Sequence, residues 1–140
     1  MDRLILMRHG KAEHNAPTGE DFDRRLTPRG ERESRAMAQT LADMGYAPAL
    51  PVVSGAARTR GTWAAMAPVF EATQVLFDDE LYLAEAGAIR AIAERVGKPV
   101  TSLLVLGHNP GLQDLTVQLL LEGPPEPALV SQARHRFPTA

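Results

Sequence analysis

Two histidines and two arginines fall where apolar runs stop. Arg8-His9-Gly10 follows Leu4 to Met7, and Ser54-Gly55-Ala56-Ala57-Arg58 follows Leu50 to Val53. Gly107-His108-Asn109-Pro110-Gly111 follows Leu103 to Leu106. Guanidinium forks, together with the free N–H groups at helix starts, bind phosphate or carboxylate. A neutral imidazole nitrogen can do more. It can attack phosphorus in line and form a phosphohistidine, which divides one hard hydrolysis into two easier steps. Arg8 and Arg58 would hold the equatorial oxygens and stabilise their charge in the transition state. A second histidine, kept protonated by the bound dianion, adds a donor, and Gly10 lets the backbone approach the phosphate closely. Because cationic side chains supply the charge that Mg²⁺ supplies elsewhere, neither a metal nor another cofactor is expected. Taken singly, each cluster also has an ordinary reading: a core or loop histidine, a Gly-Asn-Pro turn, a helix-surface arginine. Their common place at strand ends favours the anion site.

The elements between the clusters must bring them together. Leu4 to Met7 is continuous rather than alternating, as in a strand of a sheet covered on both faces. Lys11 to Arg25 reads as a long polar loop, and Thr27-Pro28 as an N-cap with proline at the first helical position. The helix that follows is expected to bury Ala36, Met37, Thr40, Leu41 and Met44 and to stop at Gly45. Leu50 to Val53 is a second strand. A helix runs from about Arg58 to Phe70, with Pro68 limiting its end, and Gln74 to Phe77 is a third strand. Ala88 to Val96 is a helix burying Ile89, Ile92, Ala93 and Val96, closed by Gly97. Leu103 to Leu106 is a strongly apolar strand, and Gly111 to Leu121 a helix built on Leu112, Leu115 and Leu119. This alternation predicts an α/β fold with three layers, α/β/α, around a mainly parallel sheet. Such sheets bind ligands at the carboxyl ends of their strands, which is where all three clusters lie.

Composition sets the outer bounds. The 140 residues read as one domain, spanning 1–140, with the 44% hydrophobic and 23% charged residues of an ordinary globular protein. A net charge of -2 gives no reason to expect nucleic acid as a partner. Thirteen arginines against two lysines suit bidentate oxyanion recognition, though a GC-rich genome gives the same bias. The absence of cysteine removes disulfides, thiolate metal sites and thiol nucleophiles. No run approaches the roughly 20 apolar residues of a membrane helix, so a cytoplasmic protein without a membrane partner is expected. Glu122 to Pro127 reads as a proline-rich surface loop. The remaining ALVSQARHRFPTA ends where another strand would be welcome, so the chain is expected to continue beyond Ala140.

In order along the chain, Arg8-His9-Gly10, Leu26-Thr27-x-x-Gly30, Ser54-x-x-x-Arg58-Thr59-x-x-Thr62 and Gly107-His108-Asn109 resemble the blocks of the histidine phosphatase superfamily, the phosphoglycerate mutase-like fold. The resemblance spans Leu4 to about Leu121. It implies that His9 is the phosphorylated nucleophile, that Arg58 binds phosphate with Arg8, and that His108 completes the pocket. RHGKAE, LTPRG, SGAARTRGTW and GHNPGL most resemble the small SixA-type phosphohistidine phosphatases, and the terminal RFPTA resembles their lead into a last strand.

The resemblance further implies a phosphorylated protein as substrate, including a histidine phosphotransfer domain. Asn15, six residues past the nucleophile, stands where some relatives place a phosphate-contacting asparagine and reads equally as a loop residue. Asn109 replaces the Asp that some relatives carry after the third-block histidine, and its amide cannot donate a proton in that way. Larger relatives use a carboxylic acid to protonate an alkoxide leaving group. Glu80 and Glu85 lie in the right region but in no clear motif, and read equally as solvated loop carboxylates. A phosphoramidate needs such an acid less, which favours phosphohistidine. Two alternatives keep the fold: a phosphomonoesterase acting on a small phosphorylated substrate, and a non-catalytic phosphate-binding adaptor.

Overall fold

The computed structural model describes residues 1–72 and 74–123. Its elements, in chain order, are β1 (Arg3–Arg8), α1 (Pro28–Asp43), β2 (Leu50–Val53), α2 (Ala57–Phe70), β3 (Leu76–Phe77), α3 (Ala86–Gly97), β4 (Ser102–Gly107) and α4 (Gly111–Glu122). Single 3-10 turns stand at Asp21–Asp23 and Asp79–Leu81. The strands pair in the order β1-β4-β2-β3, all parallel. All six residues of β4 are buried, because it is a central strand with helices on both faces.

Alternation along the strands divides the core in two. Leu104 and Leu106 of β4, with Met7 and Val53, pack against Ala38, Trp63 and Met66 of α1 and α2. Leu103, Val105 and Val52 pack on the other face against Ile89, Ile92, Leu112 and Leu115 of α3 and α4. Each of these fully buried aliphatic side chains contributes on the order of 2 kcal/mol over exposure to water. The result is the three-layer α/β/α arrangement expected from the alternation of elements.

Thr27 caps α1, accepting from the Gly30 N–H at 2.9 Å, while its hydroxyl donates to the Lys11 carbonyl at 2.9 Å. The buried stripe of α1 is not the expected one. Gly30, Ser34 and Ala38 are buried and Met37 and Leu41 partly so, whereas Ala36, Thr40 and Met44 face solvent. The seam is made of small residues because α1 lies close against the chain beside β1. A Cβ on Gly30 would stand 2.3 Å from the Lys11 carbonyl oxygen. Ser34 can be buried there because its hydroxyl donates back to the Gly30 carbonyl at 2.6 Å.

Three other boundaries move. Pro68 does not stop α2, since in the last turn it removes a single backbone donor; Glu71, at φ 52, ends the helix. The third strand shrinks to Leu76–Phe77, an edge pairing only with Val52 and Val53. The polar loop from Lys11 to Arg25 contains an Ala12–Leu26 bridge and the turn at Asp21–Asp23. Glu122 closes α4; the expected loop through Pro127 and the expected C-terminal strand lie, beyond Gly123, outside the described residues. Among the described residues no helix is long and apolar enough to cross a membrane.

Candidate active site

Register assembles the site. Arg8 on β1 is paired with Gly107 on β4, so the residues that follow, His9 and His108, emerge side by side with ring centroids 5.4 Å apart. The Val53–Leu106 pairing brings the end of β2 to the same rim, and Ser54 N–H donates to the Leu106 carbonyl at 3.0 Å. Ser54 Oγ then lies 2.8 Å from His108 Nε2. In the first turn of α2, Arg58 faces the rim and places its Nε 3.3 Å from His9 Nε2.

Hydrogen bonds define the state of His9. Its Nδ1 is 2.6 Å from the Gly10 carbonyl, an acceptor only, so Nδ1 carries the proton. Nε2 therefore presents a lone pair, which accepts from Arg58 Nε. Burial, with the nearby Arg58, Arg8 and Arg24 cations acting in the same direction against the Gly10 hydrogen bond, pulls the His9 pKa down to about 4. His108 falls to about 3 by burial and by the Arg58 charge. With no anion present, both rings are neutral at pH 7.

Gly10 has a packing reason to be glycine. A Cβ there would meet Ser34 Oγ at 2.8 Å and the Gly30 carbonyl oxygen at 2.9 Å, both on α1. Its N–H donates to Thr62 Oγ1 at 3.0 Å, and Thr62 donates in turn to the Arg58 carbonyl at 2.8 Å. The turn carrying His9 is thereby tied to both helices of that layer.

The two arginines differ. Arg58 is 3% exposed, and its NH1 donates to the Asp21 carbonyl at 2.8 Å while its NH2 donates to Asp21 Oδ2 at 3.1 Å. Among the described residues, Arg8 has its Nε buried without a partner, as have His108 Nδ1 and Asn109 Oδ1. Burial and the Arg58 charge lower the Arg8 pKa. The unpartnered buried Arg8 Nε–H and a concentration of positive charge suit an oxyanion, whereas Asn109 Oδ1 is an acceptor.

Four predicted residues thus meet at one rim, and Asn109 adjoins them. Asn15 does not join them: it is exposed and forms no side-chain hydrogen bond among the described residues. Glu80 and Glu85 are exposed on the Asp79–Leu81 turn and at the start of α3, and neither side chain forms a hydrogen bond or ion pair among the described residues. Besides Asp79, whose carboxylate lies against Gly55, the carboxylate that reaches the rim is Asp21, from the loop read as merely polar. It also accepts from Arg24 NH1 at 2.7 Å and from the Tyr82 hydroxyl, and these donors hold its pKa well below the carboxylate range. Sequence reading missed Asp21 because nothing in its spacing separates it from Glu13, Glu20 and Asp23. Tyr82, a single aromatic in an acidic stretch, carried a fainter signal.

A doubly covered parallel sheet with paired histidines and arginines at its carboxyl rim defines a phosphate-handling α/β enzyme of the histidine phosphatase type. The chain belongs to the histidine phosphatase superfamily (branch 1), whose family model matches residues 4–100. It resembles a structure from Agrobacterium tumefaciens assigned as the phosphohistidine phosphatase SixA, with a TM-score of 0.83 and 31% identity, covering 97% of this chain and 85% of that one. A structure of the protein histidine phosphatase SixA complexed with tungstate matches with a TM-score of 0.76 and 27% identity, over 88% of this chain and 80% of that chain. An uncharacterised Mycobacterium tuberculosis protein is 34% identical over 96% of this chain and 82% of its own length.

Proposed function

We propose that this phosphatase hydrolyses phosphohistidine on a protein substrate, with His9 as the nucleophile. Its Nε2 lone pair attacks phosphorus in line as the bond to the departing imidazole nitrogen breaks. Arg58 Nε–H, already beside Nε2, exchanges that nitrogen for an equatorial oxygen without leaving its place, and the Arg8 guanidinium donates as well. The incoming dianion raises the pKa of His108, which takes up a proton and becomes a further donor. Asn109 lines the same rim. Gly10 contributes by fixing the turn, since its N–H is committed to Thr62. Water then hydrolyses the His9–phosphorus bond and returns a neutral ring. With four side chains supplying donors and positive charge, the reaction requires no metal, and full activity in a chelator is expected.

One observation carries the choice of substrate. Asp21, the carboxylate bonded to Arg58, is held ionised by Arg24, Arg58 and Tyr82, so it is no source of a proton near neutral pH. An alkoxide leaving group needs such a proton, whereas the imidazole of a phosphohistidine leaves neutral when its own ring is protonated. A histidine phosphotransfer domain or another phosphorylated protein is the partner this chemistry fits. The test compares kcat/KM for a histidine-phosphorylated domain, a phosphoramidate, an aryl phosphate and an alkyl phosphate. The reading predicts that the first two exceed the alkyl ester by at least about a hundredfold, the size of a general-acid contribution the site lacks. Equal rates on alkyl phosphates would overturn it in favour of a small-molecule phosphomonoesterase. Phosphate binding without turnover would favour an adaptor.

A further inference from the structure

Of the stretch 78–87, Asp79 lies against Gly55, and Tyr82 meets the side chains of the site. Its hydroxyl donates to Asp21 Oδ2, and its ring stands edge-on to His108 at 5.5 Å and 84°. Phe22, next to Asp21, meets the same ring edge-on at 4.9 Å, and Arg58 Cζ lies 5.8 Å from its centroid. Tyr82 therefore stands against Asp21, Phe22, Arg58 and His108.

We propose that Tyr82 and Asp21 are a positioning pair for phosphoryl transfer: the Tyr82 hydroxyl orients the Asp21 carboxylate, which holds Arg58 NH2 while the Asp21 carbonyl holds NH1, and together they aim Arg58 Nε at His9 Nε2. The geometry divides the guanidinium in two. NH1 and NH2 are taken by the Asp21 carbonyl and carboxylate at 2.8 and 3.1 Å, leaving the Nε–H edge toward His9 at 3.3 Å. A carboxylate side chain that is 44% exposed would otherwise be free to follow solvent. Arg24 fixes one of its oxygens and Tyr82 the other. The pair joins a buried Arg58 side chain, 4% exposed, to a half-exposed carboxylate, so the rate and the melting curve are read together. Small misplacement of a charge-stabilising group can cost as much as about a hundredfold in turnover.

This inference rests on His9 as the attacking group and is independent of which phosphoryl donor is physiological. The experiment is a double-mutant cycle on the full chain with Tyr82→Phe, Asp21→Asn and both together, read as kcat and KM. An aryl phosphate and a histidine-phosphorylated domain are run in parallel, with a melting curve for each variant. Tyr82→Phe is expected to lower kcat about tenfold and Asp21→Asn about thirty- to a hundredfold, with KM and melting temperature nearly unchanged. The double variant should match Asp21→Asn within about twofold, because the hydroxyl acts through the carboxylate. In an Arg58→Ala background, Tyr82→Phe should have no further effect. Wild-type kcat in Tyr82→Phe, multiplicative losses in the double variant, or a loss confined to KM would each overturn the proposal. Turnover of the aryl phosphate but not of the phosphorylated domain would instead overturn the phosphohistidine reading, with the cycle still decisive on the aryl ester.

Discussion

Arg58 and Arg8 both bear on His9 and are prepared in opposite ways. All three nitrogens of the Arg58 guanidinium are engaged, with His9, the Asp21 carbonyl and the Asp21 carboxylate. By contrast, Arg8 Nε and His108 Nδ1 are buried without partners among the described residues. One half of the site is built by the protein before any ligand arrives, and the other is left for the ligand to complete. A fixed charge at the nucleophile serves the transition state, because it costs no reorganisation during reaction. Unsatisfied donors serve binding, since a ligand that pairs them removes a desolvation penalty already incurred in folding.

Substitutions of the two arginines test this contrast most severely. Arg58→Ala should lower kcat by about a thousandfold, the upper range for removal of one preorganised donor, with a smaller change in KM. Arg8→Ala should raise KM and the inhibition constant for phosphate by about ten- to a hundredfold, with a smaller loss in kcat. Steady-state kinetics on an aryl phosphate, with melting curves to verify folding, would check both. The same split of kcat and KM for the two variants would break the comparison.

A smaller effect sharpens it. His108 has its pKa depressed to about 3 and His9 to about 4, so both rings are neutral in the free protein at pH 6.5. If the anion completes the Arg8–His108 half, binding must raise the His108 pKa and draw a proton from solution. Titration calorimetry with sulfate, which does not itself titrate there, should show close to one proton taken up at pH 6 to 6.5 when buffers of different ionisation enthalpy are compared. Binding should accordingly tighten as pH falls, and His108→Gln should abolish the uptake while His9→Gln leaves it. Heat independent of buffer would place the ligand's contacts elsewhere.

The layers and the rim were legible because they depend on patterns carried by local sequence. Leu103 to Leu106 is an uninterrupted apolar run, and its burial on both faces follows from that alone. Parallel pairing then sends every strand end to one side, so Arg8, Ser54 and Gly107 converge whatever the details of the helices. The face of α1 was misread because its seam is glycine, serine and alanine, residues that apolar periodicity does not flag. Gly10 was legible as a place of close approach, but what approaches it in the fold is α1, through Gly30 and Ser34. Asp21 and Tyr82 were illegible for a different reason. They lie 61 positions apart, and each acquires meaning only from the other and from Arg58. A search for an acid pointed to Glu80 and Glu85, two residues from Tyr82 and at the start of α3, where their side chains have no partners among the described residues.

The central claim is that His9 Nε2 becomes covalently phosphorylated during turnover. Rapid quenching of the protein with a radiolabelled phosphoramidate, followed by peptide mapping, tests it most directly. The account predicts label on the peptide carrying His9, stable in alkali and lost in mild acid, formed no slower than kcat and absent from His9→Gln. Turnover by His9→Gln at the wild-type rate, or label that maps to another residue, would contradict it.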